Sequence, residues 1–479
     1  MFIDREPELA FLDSLLARQH PGPAQLVLLY GRRRVGKTAL LRHWAAQSGL
    51  DYTHVAVEKE PAPLQRRKLH ARLLDVPSQA GAHFASWSDL WAAVATFLGE
   101  RRHILILDEL PYAAESDPAV LTALQHAWDQ HFQGSRVTLV LCGSHVHTME
   151  TLMAHGSPLF GRLTGQWELG PLPFGSLRTF LSGWSAAERV AAYAMVGGVP
   201  AYLEWLDPRH SLSDNIRNVM LRPGSMFVAE PSFLLYDEVR DPRTYLAILG
   251  AIGAGHHTLR DISNACLIGS SHLSAYLSTL QDLRLVERRL PVTIPPARRR
   301  LARQGRYHLR DAYFRFYFRF LAPHQDVAPF EPERVLRAVQ DGLRAFVGQT
   351  AFEDLARQWI TRQGQAALLP FRPEGVGSHW SRRVQIDVVG INWAERQILL
   401  GECKWGESMV GRQVIRDLLE HKTPLALRDL PDGGQGWQVH HAVFGRSGFT
   451  AAARADARTA GVLVVGLAEL DDALSGEGG

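Results

Sequence analysis

The sequence is short of cysteine, nearly balanced in charge and without long apolar runs, and each shortage narrows what the chain is. Its three cysteines, Cys142, Cys266 and Cys403, are odd in number and widely spaced. That is no disulfide framework, and it points to a reducing cytosol. Lys plus Arg total 52 against 49 Asp plus Glu, a net charge of +3, so only local clusters of charge can name a partner. No stretch approaches the roughly 20 apolar residues of a membrane-spanning helix. The opening MFIDREPELAFLDSL is acidic where a signal peptide begins basic. A cytoplasmic chain that does not engage a membrane is expected. No internal repeat is present.

What is there is patterned. At roughly 100–200 residues per domain, 479 residues predict about three domains. Strands are expected at 25–30, 52–57, 104–107 and 137–142, with helices at 36–48, 87–99 and 118–132 between them. This alternation predicts an α/β fold with a parallel sheet covered on both faces. Residues 174–222 read as helical, broken at Gly197-Gly198-Val199-Pro200. Residues 243–290 read as three helices with a turn near Gly269, followed by the loop PVTIPPARRRLARQGR and a strand at 307–310. That order fits a winged helix with the loop as wing. A last domain follows, with a helix near 346–363, strands near 384–391, 397–403, 438–444 and 461–466, and a helix near 411–424. The expected units are an α/β core at 1–170, a helical lid at 171–235, a winged helix at 236–325, a further α/β domain at 326–470 and a tail at 471–479, of which SGEGG is expected to fray.

Residues 31–38, GRRRVGKT, are a complete G-x-x-x-x-G-K-[ST] after a strand and before a helix. Gly31 and Gly36 permit a backbone that aims N–H groups at phosphate oxygens, and the helix N-terminus adds its dipole. Backbone or side-chain contacts to nucleotide are expected from Gly31, Arg32, Arg33, Arg34, Val35, Gly36, Lys37 and Thr38. Lys37 is placed on the β- and γ-phosphates and Thr38 on magnesium. The three arginines within the loop fit phosphate contact or simple solvation. The apolar strand 104–107 ends in Asp108-Glu109. Asp108 is expected to hold magnesium and Glu109 to deprotonate the attacking water. Ser144, after the fourth strand, is a candidate γ-phosphate sensor or a helix cap. Arg162 is a candidate arginine finger or a surface side chain.

Two further clusters carry chemistry. Arg298, Arg299, Arg300, Arg303 and Arg306 lie within nine residues, enough to neutralise DNA phosphates from a wing. Ser270, Ser271, His272 and Ser274 on the neighbouring helix are possible polar contacts. The alternative is a solvated face on an intramolecular hinge. In QIDVVGINWAERQILLGECKW, Asp387 lies in one strand, and Glu402-x-Lys404 ends the next. Residues two apart in a strand share a face, so Glu402 and Lys404 are expected to point together toward Asp387. Asp387, Glu402 and the Cys403 carbonyl are then candidate ligands for a second Mg²⁺ or Mn²⁺. Lys404 is placed to polarise water or steady the transition state, and Glu353 to join from a preceding helix. This matches the D…(D/E)-x-K pattern of restriction-type nucleases.

The opening Phe2–Leu9 resembles the adenine-side segment of AAA-related ATPases, and GRRRVGKT, LDELPY, GSHVHTM, SPLFGR and GGVPAYL stand in the order of the archaeal-type ATPase family, which the chain resembles. That family is a STAND-type, AAA+-related group of P-loop ATPases. The stretch from YHLRDAYFRFYFRFLAP through GECKW to FGRSGFT is similar to the restriction-endonuclease-like (PD-(D/E)XK) domain that ends such chains. The resemblance implies ATP and magnesium as cofactors and nucleotide sensing by the lid residues Gly198 and Pro200. The function expected is an ATP-hydrolysing protein acting on DNA, with nucleotide state gating a nuclease-like domain. The alternative is a STAND-type switch or scaffold whose last domain binds without cutting. Homo-oligomer and protein partner both stay open.

Overall fold

The computed structural model describes residues 2–18, 23–239, 241–324 and 331–476. Contacts divide the chain into two units. The first runs to Leu172 and takes in Val199–Ala201; the second comprises the rest. No helix among the described residues is long and apolar enough to cross a membrane.

The first unit is built on five strands, β1 (Gln25–Tyr30), β2 (Asp51–Ala56), β3 (His103–Asp108), β4 (Val137–Gly143) and β5 (Gly165–Glu168). They pair in the order β2-β3-β4-β1-β5, every pair parallel. β1 and β3 are buried along their whole length, because alternate residues enter opposite cores. Leu26, Leu28, Leu105 and Leu107 pack with Trp87, Leu90, Trp91 and Val94 of the helix Trp87–Leu98. Val27, Leu29, Ile104 and Ile106 pack with Leu40, Leu41 and Trp44 of Lys37–Gln47. A central parallel strand therefore reads as a continuous apolar run. The helix Trp87–Leu98 starts at a reciprocal capping box between Ser86 and Asp89. The expected strands and helices of this unit are present; β5 and the helix Ala62–Leu73 were not anticipated.

The second unit holds the helices that follow residue 173 and two further sheets. Helices Pro242–Gly253, Leu259–Cys266 and Ser270–Asp282 are followed by β6 (Val286–Arg289), which pairs antiparallel with β7 (Arg306–Leu309). The end of the stretch read as helical is thus a strand, whose alternation is too short to announce itself. The last sheet runs β12-β11-β10-β9-β8, with β8 (Gly375–Trp380), β9 (Gln385–Asn392), β10 (Gln397–Lys404), β11 (Gln438–Gly445) and β12 (Val462–Gly466). β8, β9 and β10 are antiparallel, and β10, β11 and β12 are parallel. Helices Pro332–Val347 and Glu353–Gln365 precede it.

The chain's last helix is Leu467–Ser475, with Leu470 and Asp471 buried; of the SGEGG segment read as frayed, residues 477–479 lie outside the described residues. One expectation is corrected here. The loop 291–306 is no free wing. Val292 is buried in the core of the last sheet, and its N–H donates to the Ser378 carbonyl (3.0 Å). Thr293 Oγ1 bonds His379 Nδ1 (2.7 Å), and a short helix forms at Pro296–Arg299. The apolar side chains of PVTI hold the loop on the edge strand β8.

Candidate functional site

The nucleotide loop forms where β1 meets the helix Lys37–Gln47. Gly31 has no room for a side chain: a Cβ there would stand 2.2 Å from the Leu169 carbonyl oxygen. Gly36 and Arg34 turn the loop with left-handed φ of 94° and 70°. Lys37 Nζ donates to the loop's own carbonyls, Gly31 O (2.8 Å) and Arg32 O (3.0 Å). Burial lowers its pKa, so anionic phosphates are better partners than carbonyls for this ammonium. Arg33 Nη2 donates to the Tyr112 hydroxyl (2.8 Å). Val35 packs its side chain into the core, and its carbonyl accepts from buried Arg5 (2.8 Å). What it offers a ligand is its backbone N–H. Pro200 lies over the loop, 3.9 Å from where a Gly36 Cβ would be.

Thr38 Oγ1 donates to Asp108 Oδ2 across 2.6 Å. His54 Nε2 lies 3.3 Å from the same oxygen. Burial alone would raise the Asp108 pKa, but hydrogen bonds from His54, Thr38 and Cys142 outweigh it and bring it down to about 2. Asp108 is therefore a carboxylate at any physiological pH. Glu109 takes a left-handed φ of 58°, and its N–H donates to Asp108 Oδ1 (3.1 Å). Its Oε2 accepts from both the N–H (3.1 Å) and the hydroxyl (2.9 Å) of Ser144. Ser144 thus grips the carboxylate and does not cap the next helix, whose N-cap is His145. Arg162 makes a two-pronged pair with Asp129 (2.8 and 2.7 Å) and also donates to the Pro158 and Phe160 carbonyls. Of the two readings of Arg162, arginine finger or surface side chain, the structure shows only that its guanidinium is held by Asp129. Sequence reasoning missed Arg5 and His54. His54 carries no local signal, since it reaches Asp108 only through the register that sets β2 beside β3.

The second acidic cluster assembles from three elements. Val388 pairs with Gly401 across the hairpin, which sets Asp387 level with Glu402. Asp387 Oδ2 accepts from the Cys403 N–H (3.0 Å). Glu402 is buried, with Oε1 on Lys404 Nζ (2.7 Å) and Oε2 on Lys422 Nζ (2.6 Å). Burial and then the charge of Asp387 push Glu353 up to about 8. Burial and the charge of Glu402 likewise raise Asp387. The acids Asp387, Glu402 and Glu353 and the base Lys404 are brought together as the sequence pattern expects. Lys422 and Arg357 were missed: Arg357 Nη1 donates to the Asp387 carbonyl (3.0 Å) and lies 3.5 Å from Glu353 Oε2. Among the described residues no group of three or more His, Cys, Asp or Glu side chains is arranged to hold a metal on its own.

Of the expected DNA-binding residues, Arg298, Arg300 and Arg303 are exposed. Arg299 instead folds onto the Ile294 and Val292 carbonyls (3.1 and 3.2 Å), and Arg306 stacks over Trp380 at 4.9 Å. Ser270, Ser271, His272 and Ser274 are exposed on their helix.

Residues 2–206 match the model of a family described as an ATPase domain predominantly from Archaea. The chain carries an archaeal-type ATPase domain. It spans the nucleotide loop, Asp108, Glu109 and Ser144, so the chain is an ATP-binding ATPase. Residues 317–415 match a second family, described as archaeal and bacterial proteins of unknown function. Beyond the ATPase domain, the whole chain is similar to an uncharacterised protein of Methanocaldococcus jannaschii, 29% identical over 455 residues, covering 93% of this chain and 96% of that protein. Among solved structures it is similar to a Walker-type ATPase of Pyrococcus abyssi (TM-score 0.48, 19% identity, 66% of this chain and 96% of that chain). It is also similar to the ORC2 protein of Aeropyrum pernix (TM-score 0.44, 16% identity, 71% and 95%).

Proposed function

We propose that this protein is a magnesium-dependent ATPase that acts on DNA, with nucleotide state gating a metal-dependent, restriction-endonuclease-like C-terminal domain. The observation that carries the hydrolytic half is the junction of Thr38, Asp108, Glu109 and Ser144 at the strand ends. Thr38 and Asp108, 2.6 Å apart, are a hydroxyl and a permanently charged carboxylate. This is the oxygen pair that fits magnesium alongside phosphate. A magnesium ion held there would neutralise phosphate charge. Lys37 leaves its two carbonyls for those phosphates. Glu109, steadied by Ser144, takes the proton of the attacking water. Pro200 lies over the loop within a three-residue stretch, Val199–Ala201, whose neighbours on both sides belong to the other unit. A nucleotide that displaces Pro200 therefore pulls on that unit through the chain itself. In this reading residues 171–235 are a lid, 236–325 a winged helix and 326–470 the nuclease-like domain.

The nuclease half rests on Asp387, Glu402, Lys404 and Glu353. Burial and the charge of Asp387 raise Glu353, and burial and the charge of Glu402 raise Asp387, a chain of acids that a divalent cation would relieve. Binding of that cation requires Glu402 to release at least one lysine. The grip of Lys404 and Lys422 on both its oxygens favours a second reading, a nucleotide switch whose last domain binds DNA without cutting. Incubating plasmid with the protein, ATP and Mg²⁺ or Mn²⁺ decides between them. Cutting that is lost in Lys404→Ala and Asp387→Ala supports the nuclease; intact plasmid under every condition supports the switch. Hydrolysis is tested separately: Lys37→Ala should lose most ATP affinity, and unchanged affinity would remove Lys37 from the phosphates.

A further inference from the structure

The arginines that the sequence gathers at 298–306 are parted by the fold, and some of them join others from distant segments. A groove of about 1060 Å³ opens between the start of the helix Leu259–Cys266, β6, the segment 302–307 and the turn that joins β8 to β9. Arg260, Arg288, Arg303, Arg306, Arg382 and Arg383 line it, and Asp429 is the one carboxylate among its lining residues. Asp429 is already shared by Arg383 (2.5 Å) and His379 (3.1 Å). Among the described residues no carboxylate pairs with Arg260, Arg303 or Arg382. Six guanidiniums around one cavity repel one another, and their positive potential is focused by the walls.

The groove is built. Arg288 lies against the backbone at Gly305, where a Cβ would stand 2.3 Å from its Nε, and it donates to the Ala302 carbonyl. The Trp380 indole N–H donates to the Gln304 carbonyl (3.0 Å), which fixes the ring in the wall. Arg306 lies over that ring at 4.9 Å. Arginine forks suit phosphate oxygens, and a fixed indole and guanidinium offer flat faces to an unpaired base. A duplex is read by a convex element that enters its groove, such as the exposed face of the helix Ser270–Asp282. This site is concave and fits a single strand. A second recess shares Arg288 and Trp380 with it and runs past Arg289 and Arg299 to Arg357, the residue that touches Glu353 and Asp387.

We propose that this groove binds single-stranded nucleic acid, with phosphates on Arg260, Arg288, Arg303, Arg382 and Arg383 and an unpaired base against Trp380 and Arg306. The proposal rests on the reading that the protein acts on nucleic acid. It narrows that reading to a strand form and to a surface apart from exposed Arg298 and Arg300.

The test is fluorescence anisotropy of the full chain with labelled single-stranded DNA, single-stranded RNA and duplex DNA of equal length over a range of salt. Arg303→Glu combined with Arg382→Glu should weaken single-strand binding at least tenfold. It should also shrink the slope of log affinity against log salt by about 1.4, two phosphate contacts at roughly 0.7 each. The single changes Arg303→Ala and Arg382→Ala, each with a smaller loss, cover the case in which the double variant misfolds. Whichever single strand binds tighter names the natural source. Unchanged single-strand affinity and slope in all variants, with duplex still bound, would overturn the groove and leave DNA action standing. Inorganic polyphosphate competing as well as the oligonucleotide at equal charge would overturn the nucleic-acid assignment. If wild type binds no nucleic acid of any kind, the groove and the broader reading fall together.

Discussion

Asp108 keeps its charge because His54, Thr38 and Cys142 converge on one buried carboxylate. Glu109, its neighbour, is aimed the other way by a left-handed turn and held by Ser144. In the proposed mechanism one acid holds a cation and the next takes a proton. Glu109→Gln should bind ATP but hydrolyse it about 10²–10⁴-fold more slowly, the usual contribution of a general base; turnover equal to wild type would end that assignment. Glu353 supplies a pH test. Its folded pKa of about 8 lies above the ordinary 4.5, so the folded state holds a proton that the unfolded chain releases first. Its stabilisation is complete below about pH 4.5 and is lost as pH rises to about 8, at no more than about 1.4 kcal/mol per pH unit. In the presence of a chelator, Glu353→Gln should flatten the fall in urea midpoint between pH 5 and pH 8. Parallel curves for variant and wild type would show that Glu353 does not titrate in that window.

At the scale of elements, the loop 291–306 is the part most changed by context. Its proline and arginine content reads as a solvated wing, yet Val292 is 8% exposed and packs beneath Gly377 of β8. Thr293 and Trp380 add bonds at either end. Val292→Asp would bury an unpaired charge in that core. It should release the loop, so that trypsin cleaves at Arg298–Arg303 several-fold faster than in wild type, read by limited proteolysis. An unchanged cleavage pattern would mean that the hydrogen bonds alone hold the loop. The hairpin β9–β10 behaves as its alternation requires, because a strand face repeats every second residue whatever surrounds it. Nothing in that alternation discloses Lys422, which comes from a helical segment beyond the hairpin.

At the scale of the whole chain, the C-terminal helix Leu467–Ser475 is tied to residues nearly three hundred positions earlier. Asp471 is 4% exposed and accepts from Arg178 (2.6 Å) and Arg189 (2.5 Å). Removing one member of a buried ion pair leaves the other charges without a partner. Asp471→Ala should therefore cost the second unit about 3 kcal/mol, seen as a lower urea midpoint. A change within error would place this cluster among ion pairs that contribute little.

The sequence by itself determined what local pattern can carry. The nucleotide loop, the buried strands β1, β3 and β4, the Asp108-Glu109 pair and the Asp387, Glu402, Lys404 set were legible because each depends on spacing along one or two neighbouring elements. Strand alternation, a glycine-bounded loop and a strand end are properties of a few consecutive residues. Tertiary structure alone decided which distant side chains complete them. His54 on Asp108, Lys422 on Glu402, Arg357 beneath Asp387 and Asp129 holding Arg162 come from residues whose separation in sequence carries no signal. The same is true of the wing: its apolar residues found a sheet edge to cover, and burial of Val292 outweighed the solvation of its arginines. Packing between remote segments is set by which surfaces meet, and that is written in the three-dimensional arrangement, not in any window of the chain.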